Sequence, residues 1–285
     1  MGERGRLLDV TPALRPERAE LLALLRGLAA EDWQRPTECP AWTVKGIALH
    51  VLGDDFSLLT RQRDASTTNS LMLYAERHPG LTFRDLLDGF NDEWELTVRF
   101  LSTELVLELL RIVGEWSDTF YREVGLETMS REPVGLFAQT EPSPYWQVIA
   151  REYLERFIHQ SQIRRAVGAE EVSDELVTWA ARVCVELLAA WLVDFTPSTG
   201  SVVGIDLGDA GGWSWRREAG RWTAQEGIAD DAAARLVVAP GATVALLSRG
   251  MTRDEAARRV TVEGDADLAA GVVAVALPLL GRPPP

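Results

Sequence analysis

Close to Pro197 the hydrophobic pattern of this 285-residue chain changes period, and that switch restricts its fold more than any single motif does. Before it, apolar residues recur every three or four positions. Leu21, Leu24, Leu25 and Leu28 mark a first helix over 16–30. Thr43 is placed to cap a second, along which Val44, Ile47, Ala48, Val51 and Leu52 form one stripe that fades near 64–68. Thr82 opens a third, through Phe83, Leu86, Leu87, Phe90, Trp94 and Val98 towards Val113. Residues 125–144, with Gly125, Pro133, Gly135, Pro142 and Pro144, read as a long loop. A strong helix follows over 145–167 and stops at Gly168, and Ser173 caps one more through Leu176, Ala180, Val183, Leu187 and Trp191.

After Pro197 the runs at 201–207, 213–215, 221–223 and 235–239 are short, alternating or β-branched, and separated by Gly and Asp. Residues 243–247 and 265–275 read as helical, with Val260–Val262 a strand between them. The pattern predicts an α+β protein of two domains. A helical bundle occupies 1–170, and a linker helix with a small α+β domain occupies 171–285. There is no internal repeat, and the one low-complexity stretch is Pro283, Pro284 and Pro285.

Charge excludes several function classes. A formal net charge of -14 leaves no basic footprint for nucleic acid and disfavours anionic membrane surfaces. The apolar run at 271–280 contains Pro278 and is too short for a bilayer, and the one at 183–193 is broken by Glu186. The opening residues carry both signs of charge with no apolar stretch behind them, unlike a signal peptide. Cys39 and Cys184 are too few and too distant for a disulfide framework. The expectation is a cytoplasmic, reduced protein with no membrane span. No glycine-rich phosphate loop is present.

Three histidines can each be weighed. In the helix at 145–167, Val148, Glu152, Glu155, His159, Gln162 and Ala166 recur at steps of four and three, one stripe of the helix. Ionisable groups on or beside a face that packs into a bundle need partners or a cation, because an unpaired buried charge is costly. Glu155 and His159 project together and are able to ligate one ion as carboxylate and imidazole. A solvated flank made of Glu152, Glu155 and Arg156 accounts for the same spacing. His50 is available as a third ligand, yet by helical geometry it points more than about 100° away from the Val44/Ile47/Val51 stripe, as a surface residue would. His78, beside Pro79 and Gly80, reads as solvated. Cys39 is followed by Pro40 and has no histidine beside it in sequence, which argues against a nucleophile. Trp33 and Trp42, among ten tryptophans, read as core residues or as the lining of a pocket.

Trp33-x-x-Pro36-Thr37-x-Cys39-Pro40-x-Trp42-Thr43-Val44, leading to His50 and Gly53, resembles the opening of the mycothiol-dependent maleylpyruvate isomerase family, within the DinB-like four-helix bundles. Residues 151–168, with Glu155, His159, Ile163, Arg164, Ala166 and Gly168, look like that family's second motif. Trp213-Ser-Trp215, Trp222, Leu246 to Arg249 and Gly264 to Leu268 are similar to its sterol-carrier-like C-terminal domain. The resemblance implies a divalent metal, usually zinc, on His50, Glu155 and His159, with an open coordination position. It implies mycothiol as the thiol cofactor or co-substrate, and it matches Arg249 to an arginine able to pair with a carboxylate. Gln162 stands where the family often has an aspartate, and with Trp42 it is expected to contact substrate.

The function expected on this basis is activation of a small thiol, as a metal-bound thiolate, for attack on an electrophilic small molecule. Isomerisation and S-transfer are both open as outcomes. A metal-dependent hydrolase working through bound water, and a non-catalytic small-molecule binder, stand as alternatives. No nucleic-acid partner is expected, and sequence alone gives no oligomeric state.

Overall fold

The computed structural model describes residues 7–66, 71–131, 142–192 and 195–280, in two compact units divided between Glu170 and Glu171. In the N-terminal unit four long helices pack as a bundle: α1 (Thr11–Arg26), α2 (Val44–Leu58), α5 (Thr103–Glu123) and α6 (Tyr145–Val167). Helix α4 (Phe83–Val98) lies beside them against α2, and the short α3 (Leu71–Arg77) packs on α4. Leu21, Leu25, Ile47, Leu52, Val106, Leu110 and Ile163 build the apolar core. Thr43 caps α2 as expected, accepting from Gly46 N at 3.3 Å.

The single helix expected from Thr82 towards Val113 is two helices. Ser102 accepts from Leu105 N and starts α5 afresh, because a side chain that satisfies an orphan N–H favours a new N-terminus there. A periodicity argument passes over that break, since the apolar stripe resumes beyond it. Helix α3 is too short to register as periodicity at all. At the C-terminal end of α2 the chain widens into a π-helical turn, Leu59–Arg63, which carries Gln62. Its Oε1 accepts from Arg131 N at 2.9 Å and from Tyr145 Oη at 3.1 Å, joining the end of α2 to the start of α6. The loop expected at 125–144 is described at its two ends, where Ser130 N donates to Ser143 O at 2.8 Å. Pro133, Gly135, the first six residues and the proline tail lie outside the described residues.

Charged groups run through the middle of the bundle. Arg156 of α6 donates to Asp55 of α2 at 2.8 Å and to Asp118 of α5 at 3.0 Å, while Arg18 of α1 donates to the other oxygen of Asp55 at 2.6 Å. All four side chains are buried, so one chain of ion pairs pins together all four bundle helices. Gly114 of α5 leaves room for this, since a Cβ there would lie 2.8 Å from Arg18 Nε. Removing one partner of such a pair costs about 3–5 kcal/mol. Glu17 is buried beside the chain and neither of its oxygens finds a hydrogen bond among the described residues.

The C-terminal unit begins with α7 (Asp174–Trp191). Its sheet has the order β3-β2-β1-β4-β5, with β1 (Val202–Asp206), β2 (Gly212–Glu218), β3 (Arg221–Glu226), β4 (Ala234–Val238) and β5 (Val260–Gly264). Neighbours are antiparallel except for the parallel pair β1 and β4. Trp215 is fully buried and donates from Nε1 to Val185 O of α7 at 2.9 Å, fastening sheet to helix. Helices α8 (Thr243–Leu247) and α10 (Ala266–Leu280) fall near the expected runs. Helix α9 (Arg253–Arg259), with its Thr252/Glu255 capping box, went unread because only Ala256 of it is buried. Gly264 is fixed by sterics: φ is +82° and a Cβ would collide with the Ala233 carbonyl. Among the described residues no helix is long and apolar enough to cross a membrane.

Glu17 gives a test of the bundle. Burial, opposed by Arg18 and Arg156, pushes its carboxyl from the ordinary 4.5 up to about 7. A group raised on folding contributes stability that is complete below its unfolded value and is lost as pH climbs through its folded value. At about 1.4 kcal/mol per unit the scale is about 3 kcal/mol. Glu17→Gln is therefore expected to gain on the parent between pH 5 and pH 8 by up to that amount in urea unfolding. A constant difference across that range would overturn the assignment.

Candidate metal centre

Helices α2 and α6 carry the site. His50 lies on α2, and Glu155 and His159 lie one turn apart on α6. One ligand atom from each falls within 4.8 Å of the others. The histidine rings meet edge to face with centroids 4.7 Å apart, and His159 Nε2 is 3.4 Å from Glu155 Oε2.

His50 corrects the reading from its helix. The residue is buried, because α2 is covered nearly all round by α4, α5 and α6 and has no solvent side along Ile47–Leu52. A single apolar stripe was the wrong guide to a helix in the middle of a bundle. The solvated-flank reading of α6 fails similarly: Glu152 and Arg156 are buried and Glu155 is half-buried. His78 is exposed and stacks on Tyr74 with centroids 4.2 Å apart.

Trp42 covers the site. Its ring stacks on His50 at 4.6 Å and stands 6.1 Å from His159. Gly46 lets it pack down on α2, where a Cβ would lie 3.0 Å from Trp42 Cβ. The indole Nε1 is buried and has no hydrogen-bond partner among the described residues. Trp33, by contrast, is a core residue. Gln162 Oε1 lies 2.9 Å from His159 Nδ1 and 3.4 Å from Cys39 Sγ. An amide oxygen only accepts, so Gln162 favours a ring proton on Nδ1, with Nε2 turned towards Glu155. Sequence reasoning set Cys39 aside because no histidine adjoins it in the chain, whereas the fold brings it to Gln162. Arg249 belongs to the C-terminal unit, at the turn after α8, with a left-handed backbone at φ 55°.

The electrostatics keep the donors available. Burial lowers His50 from 6.5 to about 4, with Asp54 and Glu155 opposing and His159 and Arg151 assisting, so the ring is neutral at neutral pH. Burial alone would raise Glu155, but Arg151 and His159 outweigh it and hold the carboxyl well below the usual range. Arg151 Nη2 is 3.7 Å from Glu155, and its other terminal nitrogen pairs with Glu152. Burial, against Arg151, brings Glu152 up to about 7. Arg151 and Asp54 were both missed from the sequence. The signal for Asp54 was present, because it follows His50 by four residues as His159 follows Glu155, and its Oδ2 is 3.6 Å from His50 Nε2.

Residues 14–164 match the family model of the mycothiol maleylpyruvate isomerase N-terminal domain, more than half of the chain. The chain belongs to that family. Among solved structures, a crystal structure of the mycothiol-dependent maleylpyruvate isomerase is 14% identical, with 90% of this chain and 92% of that one covered and a TM-score of 0.50. A histidine-to-alanine mutant of it has the same identity and coverage with a TM-score of 0.49. At this identity the first likeness speaks for the fold, a helical region followed by a sheet with helices. No curated protein sequence matches the chain. Within the matched region lie His50, Glu155 and His159, as well as Trp42 and Gln162, so the maleylpyruvate isomerase domain contains the whole cluster.

The Gln162 contact has a spectroscopic consequence. In the metal-free protein, nitrogen NMR of the His159 ring is expected to show the Nδ1–H tautomer in excess, and Gln162→Leu to move it towards the mixture of free imidazole. An unchanged spectrum in the variant would mean that Gln162 does not set the tautomer.

Proposed function

We propose that this maleylpyruvate isomerase relative is a divalent-metal-dependent enzyme that uses a small thiol of the mycothiol kind against an electrophilic small molecule, by isomerisation or S-transfer. The observation that carries the reading is the convergence of His50, Glu155 and His159 inside the family's own domain. Two imidazoles and one carboxylate, with a neutral His50 and an ionised Glu155, suit an ion of the zinc type. A divalent ion held there supplies a Lewis acid with an exchangeable position and lowers the pKa of a thiol that occupies it.

The remaining residues have supporting tasks. Glu155 offsets part of the ion's charge, and Arg151 fixes the carboxylate in place. Gln162 orients His159. Trp42 excludes water over His50 and offers its unpartnered N–H to an acceptor on thiol or substrate. Arg249 is assigned to a carboxylate of one of them. Gln162 is uncharged where the family often has an aspartate, which favours conjugation to another electrophile over maleylpyruvate isomerisation. A reduced, cytoplasmic setting belongs to the same reading, in keeping with the absence of a disulfide among the described residues.

The reading is tested in two steps. Purified protein is expected to hold about one divalent ion per chain, and His159→Ala to hold far less by elemental analysis; absence of metal together with no zinc uptake in calorimetry would sink it. Metal-loaded protein is then incubated with mycothiol and a panel of electrophiles, with products followed by mass spectrometry. Turnover is expected to require the thiol and to fall at least tenfold in Arg249→Ala with metal content unchanged. Equal turnover without thiol would instead indicate a hydrolase, and none on any substrate a binding protein.

A further inference from the structure

From the geometry we infer that Asp54 is a fourth protein donor to the ion, making the centre a set of two histidines and two carboxylates. This rests on the proposal that His50, Glu155 and His159 hold a metal. Bonds of about 2.0–2.2 Å at a tetrahedral angle place neighbouring donors about 3.3–3.6 Å apart. Glu155 and His159 are 3.4 Å apart, and His50 and Asp54 are 3.6 Å apart, so each helix presents one histidine–carboxylate edge of the length that an ion spans. Both edges come from i,i+4 pairs, one on α2 and one on α6. The three clustered donors lie within 4.8 Å of one another and Asp54 is not among them, so the site contracts when filled and the Asp54 carboxylate swings in from beside His50.

Asp54 has no competing employment. A separation of 3.6 Å is too long for a hydrogen bond, and no described residue donates one to its carboxylate. Its side chain is 23% exposed, so it stands at the rim of the cluster. Arg151 adds to the field there, neighbouring Glu155 and Glu152 directly and attracted to Asp54 from farther away. Two carboxylates neutralise a divalent ion fully, and four protein donors plus an exchangeable one make five. Such a set accepts ions with more than four ligands more readily than the trio alone does.

Cobalt substitution reads this directly, without turnover. The full-length protein is titrated with Co2+ and its visible absorption recorded, with circular dichroism as the check on folding. The parent is expected to give the weak bands of five or more donors. Asp54→Ala should give bands several-fold stronger as the number drops to four, and Asp54→Asn, which keeps an oxygen, should stay close to the parent. Zinc affinity should also fall by about tenfold or more in Asp54→Ala. Bands of unchanged shape and strength in Asp54→Ala, even with weaker zinc binding, would place Asp54 outside the ion's ligands and overturn the inference alone. A parent that takes up no cobalt would overturn the metal-centre proposal, and this inference with it.

Discussion

Arg156 is the residue on which the bundle turns. Its guanidinium reaches Asp55 on one helix and Asp118 on another, and Asp55 passes the connection to Arg18 on a third. Apolar packing among Leu, Ile and Val supplies most of the burial, but it tolerates sliding, because one aliphatic contact replaces another at little cost. Directional ion pairs in a dry interior do not. A turn of α2 or α6 out of register would strand three charges with no water to take them. The requirement that these charges be matched therefore fixes the angular setting of the helices that also carry His50 and Glu155.

That arrangement explains how much of the molecule was legible in the sequence. The helical-to-strand switch near Pro197, the Thr43 cap, the end of α6 at Gly168 and the short β runs are local signals, and the structure reproduces them. The break at Ser102 was not legible, since a hydrophobic stripe continued across it. His50 was misjudged for a different reason. Amphipathic reasoning presumes that a helix has a wet side, and α2 has almost none along the turns that matter. The placement of Asp55, Asp118 and Arg18 against Arg156 joins residues from 37 to 101 positions apart, which no periodicity encodes.

The cluster at His50 follows the same logic of compensation on a smaller scale. A half-buried carboxylate such as Glu155 is tolerated because Arg151 and His159 stand against it. A buried imidazole such as His50 is tolerated because it sheds its proton and stacks on Trp42. Neither arrangement needs an ion to exist, and both leave lone pairs aimed into one small space. Glu17 and Glu152 show the other solution to burial, in which the carboxyl holds its proton up to about neutrality.

Asp54 and Asp55 are adjacent in the chain and serve different neighbourhoods, one beside His50 and the other joined to Arg18 and Arg156. Successive residues of a helix differ by about 100° in direction, so the pair acts as a vernier on the rotation of α2. Deleting or inserting a single residue between the Thr43 cap and this pair would swing both side chains by about 100°, unhooking the bundle's core and moving the rim carboxylate at one stroke.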